Sequence, residues 1–370
     1  MRIGIVTFHR AYNCGAMLQS WALKKVLERM GHVVTFPSCN EVGVPRSRWR
    51  IPLLNHEKKG VAAIRSLIGR VLVNLMSIPS EDILRLRYRR FKRRFIPECD
   101  CSPRQFAKNY DLMVYGSDQI WNPSVSKTNA ALFFNEENSG VCSIAYAASI
   151  GDSPLNGEDE TRLRRAIGKF SQISVREPVA RAQIKSISGV DAAITIDPTL
   201  LVTLDDYREL LGERIIKKDY LLLYTLEASG FYLNAARELA ARLGVRCIVI
   251  DCYQYSRFGT PKDFLYSVSP DLLVQYAFHA KYILAASFHG TVMGVIFKKP
   301  FLSLRGRVDQ YESRPAALLR KIGCSSRLVN PTTSLDEMES LLREPLPDYS
   351  AVIEKDRAAS LEWLRRAIEK

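Results

Sequence analysis

The sequence lacks a long apolar run. No window of about 18 uninterrupted apolar residues occurs, and the best candidate, residues 64–78, is interrupted by Arg65, Arg70 and Asn74. Because a membrane-spanning helix needs roughly 20 such residues, we expect none in this chain. We expect a cytoplasmic protein, with at most a peripheral association at the inner face of the cytoplasmic membrane.

Patterns for metal ions, disulfides and dinucleotides are missing as well. The eight cysteines are scattered, Cys99 and Cys101 are too close for an easy bridge or a C-x2-C ligand pair, and no histidine follows at zinc-finger spacing. The loop after the first predicted strand contains Gly15 but no G-x-G-x-x-G fingerprint, and one glycine does not establish a dinucleotide site. We therefore expect reduced thiols, no metal ion and no cofactor.

Acidic residues are scarce in one segment. The chain has a formal net charge of +14, and the segment from Arg46 to Arg94 holds fourteen basic residues against three acidic ones. Its predicted helix over residues 82–95 contains RLRYRRFKRRF, and basic helices with interleaved aromatic and leucine side chains suit an anionic membrane surface. A solvated cap on the first domain fits equally well. Nucleic acid is not expected, because no recognised binding module accompanies the charge.

The remaining pattern is that of an α/β protein. A chain of 370 residues is longer than a single core usually grows, and short apolar strands alternate with amphipathic helices along it. We predict a first Rossmann-like domain over residues 1–205, interrupted by a basic helical insertion at about 45–97. A second Rossmann-like domain is predicted over residues 206–345, followed by a C-terminal helix at 346–370.

The most informative stretch runs from Ser269 to Leu304. It reads as helix, strand, turn, helix and strand: the strand over 282–285 stops at Ser287-Phe288-His289-Gly290, and the next helix is predicted to begin near Thr291. In open α/β sheets, ligands bind at the carboxyl ends of strands, where the next helix presents free N–H groups. His289 could be a proton carrier there, or it could only cap the helix or satisfy a buried carbonyl.

Four strands predicted in the first domain also end in polar loops, at Asn13, Ser117, Arg176 and Asp197. An arginine at a strand end is often only the partner of an acid. A guanidinium can also grip a carboxylate or phosphate with two hydrogen bonds, which anionic substrates require.

Five motifs in this order resemble the polysaccharide pyruvyl transferase family. They are NCGAMLQ at 13–19, GSDQIWN at 116–122, VRE at 175–177, DPTLL at 197–201, and SFHGT at 287–291 followed by KPF at 299–301. The resemblance spans roughly Met1 to Val329. It implies transfer of a pyruvyl group from phosphoenolpyruvate onto a sugar as a cyclic ketal, in cell-surface polysaccharide biosynthesis. It also implies a fold similar to GT-B glycosyltransferases, with two domains facing a cleft and the last helix packed back on the first domain.

The resemblance also suggests roles for the polar residues. The enol carbon of phosphoenolpyruvate must take a proton, so His289 would be the acid, and Asp118 or His289 again would be the base for the sugar hydroxyls. An anion clamp would come from Arg176 with one or more of Arg305, Arg307 and Arg314. Further substrate contacts are expected from Asn13, Gly15, Gln19, Ser117, Gln119, Ser287, Gly290 and Thr291. The acceptor is expected to be a saccharide linked to a lipid carrier.

Two departures from the family pattern stand out. Cys14 occupies a position where tyrosine is frequent. Ala285-Ala286 precede Ser287 where polar residues are common, and this second departure would affect the acceptor side. The main alternative is a GT-B glycosyltransferase that uses a nucleotide sugar. A non-catalytic protein that binds through the basic segment is a third hypothesis.

Overall fold

The structure, a computed structural model, contains two parallel β-sheets with helices on their faces. It describes residues 1–38, 82–126, 129–137, 140–151, 155–225, 230–251, 262–305 and 313–369. The α/β class predicted from the sequence is confirmed. Arg307 and residues 39–81, which include most of the predicted basic insertion, lie outside the described residues.

The first sheet has seven strands in the order β3-β2-β1-β4-β5-β6-β7, and every neighbouring pair is parallel. The strands are β1 (Arg2–Val6), β2 (Val33–Pro37), β3 (Glu98–Cys99), β4 (Leu112–Tyr115), β5 (Ser143–Ala148), β6 (Gln172–Val175) and β7 (Ala193–Ile194). The central strands are apolar and buried along their length, as a parallel sheet covered on both faces requires.

The second sheet has six strands in the order β10-β9-β8-β11-β12-β13, again all parallel. They are β8 (Tyr220–Thr225), β9 (Arg246–Asp251), β10 (Phe264–Leu265), β11 (Tyr282–Ala285), β12 (Phe301–Leu304) and β13 (Leu328–Val329). The strand predicted over 282–285 has the bounds of β11.

The helices lie between and after the strands along the chain. They are α1 (Cys14–Arg29), α2 (82–95), α3 (Phe106–Asn109), α4 (Pro123–Ser126), α5 (Ala130–Phe133), α6 (Gly157–Ile167), α7 (Pro178–Ser188), α8 (Pro198–Leu201), α9 (Leu204–Tyr207), α10 (Gly230–Arg242), α11 (Pro270–His279), α12 (Phe288–Ile296), α13 (Arg314–Lys321), α14 (Leu335–Arg343) and α15 (Ser350–Glu369). Short 3-10 turns lie at Pro103–Gln105, Arg208–Leu210 and Ser325–Arg327.

One helix start differs from the prediction. We expected the helix after β11 to begin near Thr291, but α12 begins at Phe288. The side chain of Ser287 accepts a hydrogen bond from the Gly290 N–H at 3.1 Å, which caps the helix three residues earlier. His289 and Gly290 therefore belong to the first turn of the helix and not to the loop before it.

Helices from the two sheets pack together at the carboxyl ends of the strands. Helix α1 contacts α11, and α12 contacts α8, so one apolar cluster includes Val114 of the first sheet and Leu222 of the second. Helix α15 packs on β5 and α8, where the Trp363 ring lies 6.0 Å from the Tyr146 ring. These contacts fix the strand ends of both sheets against each other.

Helix α2 is the described part of the basic insertion. Its buried side chains recur at helical spacing, at Leu84, Tyr88, Phe91 and Phe95. In the described ranges, no helix is both long enough and apolar enough to cross a bilayer.

Candidate active site

The first turn of α12 presents His289 at the junction of the two sheets. Thr291 Oγ1 donates to the Ser287 carbonyl at 3.1 Å and lies 2.9 Å from Ser303 Oγ on β12. A Cβ at Gly290 would lie 2.7 Å from the Tyr224 ring of β8, so this position has room only for glycine. Ser287, Gly290 and Thr291, predicted to bind substrate, thus hold the turn that orients His289.

His289, on helix α12 of the second sheet, contacts two elements that follow strands of the first sheet. Its Nε2 is 3.8 Å from Asp197 Oδ2, which follows β7. Its ring also lies against the first turn of α1, where a Cβ on Gly15 would be 2.6 Å from His289 Cγ and closer still to Nδ1. Gly15 therefore lets the imidazole reach its position, a role that sequence reasoning did not assign.

The other predicted residues of α1 support the same turn. Asn13 caps the helix, since its Oδ1 accepts a hydrogen bond from the Ala16 N–H at 3.1 Å. We expected Gln19 to face the cleft, whereas it is fully buried and donates to Thr7 Oγ1 at 2.7 Å. Gln19 thus braces the end of β1 from inside the protein.

Arg176 is the centre of a cluster of charges. Its side chain is only 4% exposed, and it bonds to Asp197 through Nη1. Its Nε lies 3.4 Å from Glu177 Oε1, and its Nη2 lies 3.5 Å from Asp118 Oδ1. Burial lowers the pKa of Arg176, but the three carboxylates outweigh it and raise the pKa above its usual value. The guanidinium is therefore already paired with carboxylates of the protein itself.

Asp197 lies at the bottom of this cluster and was predicted only as a strand-end residue. Its carboxylate accepts hydrogen bonds from the Thr199 N–H at 3.0 Å, from Thr199 Oγ1 at 2.6 Å and from Ser117 Oγ at 3.4 Å. Burial would raise the pKa of Asp197, but His289, Arg176 and these donors outweigh it and hold the pKa well below its usual range. A fixed negative charge therefore lies beside the imidazole.

Phe288 joins the cluster to the second sheet, and sequence reasoning missed it. The guanidinium carbons of Arg176 and Arg314 each lie 5.5 Å from its ring centroid, within the range of a cation–π interaction. Arg314 Nη1, at the start of α13, also lies 3.5 Å from Asp118 Oδ1. In the sequence, the only signal that points to Phe288 is its position next to His289.

Exposure separates the groups that a substrate can touch from those that hold them. The side chains of His289, Asp118 and Arg314 are 11%, 16% and 19% exposed, whereas that of Asp197 is fully buried. These three partly accessible groups are a proton carrier, a carboxylate and a guanidinium. Such a set can protonate one atom, accept a proton from another and bind an anion.

The remaining predicted residues lie around this cluster. Ser117 is fully buried, and Gln119 Oε1 accepts a hydrogen bond from Asn122 Nδ2 at 2.6 Å. Arg305 is exposed at the end of β12, and its carbonyl accepts from Tyr232 Oη at 2.6 Å. Across the described ranges, no group of three or more histidine, cysteine, aspartate or glutamate side chains is arranged to hold a metal ion.

A family model described as polysaccharide pyruvyl transferase matches residues 13–306, most of the chain and all five motifs. The chain belongs to this family. Membership indicates a transferase that acts on polysaccharide. A comparison with curated proteins gave no match.

The chain has a GT-B-like fold. It is similar to the UDP-N-acetylglucosamine 2-epimerase from Rickettsia bellii, with a TM-score of 0.51, 12% identity, and coverage of 99% of this chain and 95% of that one. A protein from Listeria monocytogenes assigned to the same activity has a TM-score of 0.51, 11% identity, and coverage of 100% and 95%. At these identities the likeness concerns the fold alone.

Proposed function

We propose that the enzyme transfers a pyruvyl group from phosphoenolpyruvate to two hydroxyls of one sugar, forming a cyclic ketal on a cell-surface polysaccharide. In this reaction C3 of the donor gains a proton and becomes a methyl group. C2 forms two bonds to sugar oxygens and loses its bond to the phosphate oxygen. Of the two hydroxyl protons, one balances the proton placed on C3, and the other leaves with phosphate.

His289 is the group proposed to protonate C3. It lies in the first turn of α12, beside the carboxylate of Asp197 and against the N-terminal turn of α1. Its ring cannot drift toward α1, because the contact at Gly15 is close. A general acid must be held within hydrogen-bond reach of the atom that it protonates, and these contacts fix its position.

Asp118 is proposed as the base that takes a proton from an attacking hydroxyl. Its carboxylate reaches the partly exposed edge of the cluster, where Arg176 and Arg314 both lie 3.5 Å from Oδ1. Two guanidiniums on one oxygen hold the carboxylate in a fixed orientation. The second oxygen is left to accept a proton.

The donor anion is proposed to bind through Arg314, Arg305 and Arg307 and not through Arg176. Arg176 is buried among three carboxylates, whereas Arg314 is partly exposed and Arg305 is exposed at the end of β12. The first turns of α1 and α12 meet at His289 and add N–H groups at the positive ends of two helices. No metal ion is needed for this scheme.

The observation that supports this proposal most strongly is the convergence of His289, Asp118 and Arg314 at one place. His289 and Arg314 come from the second sheet's helices and Asp118 from the end of β4, so the set forms only when the two sheets face each other. These three groups match the requirements for protonating an enol phosphate and binding its phosphoryl group.

The test is incubation with phosphoenolpyruvate and a panel of glycosides, followed by measurement of phosphate release and product mass. His289→Ala should lower turnover by roughly two to four orders of magnitude and leave phosphoenolpyruvate binding nearly unchanged. His32→Ala is the matched control, because His32 lies beyond the far end of α1. Near wild-type turnover in His289→Ala would remove the histidine from the mechanism.

A parallel incubation uses a UDP-sugar in place of phosphoenolpyruvate. The two UDP-sugar enzymes of similar fold make this the relevant alternative donor, although their likeness is confined to the fold. Transfer from the UDP-sugar, with no phosphate released from phosphoenolpyruvate, would replace the proposal with a glycosyltransferase reaction.

A further inference from the structure

The two sides of α2 are chemically distinct. Leu84, Tyr88, Phe91 and Phe95 are buried and form one stripe along the helix. On the opposite side, at spacings of three and four residues, lie Ile83, Leu86, Arg90 and Arg93. Ile83 and Leu86 are 46% and 67% exposed. We name the stripe Ile83, Leu86, Arg90 and Arg93 the outer stripe.

The buried side of α2 contacts the candidate active site. Tyr88 Oη lies 3.1 Å from Cys14 Sγ, and the Tyr88 and Tyr12 rings lie 5.0 Å apart. Cys14 immediately precedes Gly15, on which the His289 ring rests. Two contacts, from Tyr88 to Cys14 and from Gly15 to His289, therefore connect α2 to the catalytic histidine.

Helix α2 also reaches the second domain. Arg87 Nη1 donates to the Ser267 carbonyl at 2.9 Å, in the segment between β10 and α11. Cys14 Sγ in turn lies 3.5 Å from the Val268 carbonyl. The helix thus spans both sides of the cleft, with its outer stripe directed away from the cleft.

We propose that the outer stripe of α2 docks on an anionic lipid bilayer, so that the cleft is held at the membrane surface. This inference rests on the proposed function and on the expectation that the acceptor saccharide is linked to a lipid carrier. Docking would bring the cleft to an acceptor whose lipid carrier stays in the bilayer.

The composition of the outer stripe favours a bilayer over other polyanions. Arginines supply attraction to anionic headgroups, and Arg89 and Arg94 add to the exposed charge on neighbouring positions. Ile83 and Leu86 supply apolar side chains that an interfacial helix inserts below the headgroups. A nucleic acid or an acidic protein would use the charge but would gain little from two exposed aliphatic residues.

The first experiment is flotation of the full-length protein with vesicles of phosphatidylcholine alone or mixed with phosphatidylglycerol. Wild type should float with the anionic vesicles, and raising the salt concentration should weaken binding. Arg90→Glu/Arg93→Glu should lower the partition coefficient at least about thirtyfold, since each arginine contributes a factor of about five at such a surface. Arg164→Glu/Arg165→Glu makes the same charge change on exposed positions of α6 and should bind like wild type.

The second experiment separates a bilayer from other polyanions. Ile83→Ser/Leu86→Ser should lower vesicle binding at least about tenfold and leave retention on heparin unchanged. Equal recovery with neutral and anionic vesicles would overturn the proposal. An unchanged vesicle affinity in Ile83→Ser/Leu86→Ser, or tighter binding to a single-stranded oligonucleotide than to vesicles, would also overturn it.

Failure of this inference can be told apart from failure of the proposed function. With phosphoenolpyruvate and a water-soluble glycoside, Arg90→Glu/Arg93→Glu should turn over at the wild-type rate, because neither residue lies in the charge cluster. If the protein floats with vesicles but does not turn over, the docking proposal stands and the proposed reaction is wrong. If it turns over but does not float, the proposed reaction stands and the docking proposal is wrong.

Discussion

Gly15→Ala offers a direct test of the way His289 is positioned. Gly15 lies in the first turn of α1 and has no positive backbone φ that would itself demand glycine. Its small size is required because the imidazole of His289 occupies the space where a Cβ would be. The added methyl group should therefore displace the histidine and leave the rest of the site in place.

The expected loss follows from the distances. The Cβ would lie 2.6 Å from His289 Cγ, whereas ordinary contact begins at 3.4 Å. The ring must therefore move by at least about 0.8 Å, and misplacement of a reacting group by about 1 Å can lower the rate about a hundredfold. Alanine is the better helix former by up to about 1 kcal/mol, so the backbone should not lose stability.

The assay is turnover with phosphoenolpyruvate together with the midpoint of urea unfolding. We expect turnover to fall about a hundredfold while the free energy of unfolding changes by less than about 1 kcal/mol. Gly157→Ala is the matched control, because Gly157 begins α6 and has no atom within 4 Å of an added Cβ. If Gly15→Ala were as active as Gly157→Ala, the contact with Gly15 would not position the catalytic group.

Three further predictions concern buried groups. Arg176→Met removes the guanidinium that three carboxylates share and should lower the free energy of unfolding by about 3–5 kcal/mol; an unchanged urea midpoint would contradict this. Ser360→Ala removes the acceptor of the Ile196 N–H bond of 3.1 Å beside Asp197, and should lower turnover severalfold at a cost of about 1 kcal/mol in stability; wild-type turnover would show that α15 does not support the site. Burial lowers the pKa of His9 to about 3, so only the unfolded chain is protonated between about pH 6.5 and 3, and stability should fall by up to about 1.4 kcal/mol per unit as pH drops. His9→Gln should flatten this dependence, and equal slopes in urea unfolding at several pH values would refute it.

Much of the fold could be predicted because its central strands are long enough to show a pattern. The strand over 282–285 was predicted with the bounds that the structure gives it. The edge strands β3, β10 and β13 have two residues each, which is too short for any periodicity to appear. Their pairing is decided by the neighbouring strand and not by their own sequence.

The candidate site was predictable to the extent that strand ends locate it. Parallel strands end at one edge of a sheet, so the polar residues after β1, β4, β6, β7 and β11 were expected to lie together, and they do. The start of α12 was placed too late, because the hydroxyl of Ser287 could be taken for a substrate contact and not for the helix cap that it is. Predicted roles of individual residues remain predictions.

The partner of each charge could not be predicted, because pairing depends on distances between loops that are far apart in sequence. Arg176 was expected to grip a substrate anion, yet Asp118 and Asp197 both come within reach of it in the folded chain. The sequence therefore predicts that Arg176 binds a substrate anion, whereas in the structure Arg176 is a counterion for carboxylates of the protein. Sequence position alone does not distinguish these roles.

The balance of charge in the cluster determines where a donor anion can bind. Arg176 and Arg314 face three carboxylates, from Asp118, Glu177 and Asp197, so the cluster without the histidine carries an excess of one negative charge. A protonated His289 only cancels that excess. Phosphoenolpyruvate, which has nearly three negative charges, must therefore be met not by Arg314 alone but also by cations outside the cluster and by the N-terminal turns of α1 and α12. For this reason substitution of the exposed Arg305 should weaken donor binding, whereas substitution of Arg176 should chiefly destabilise the fold.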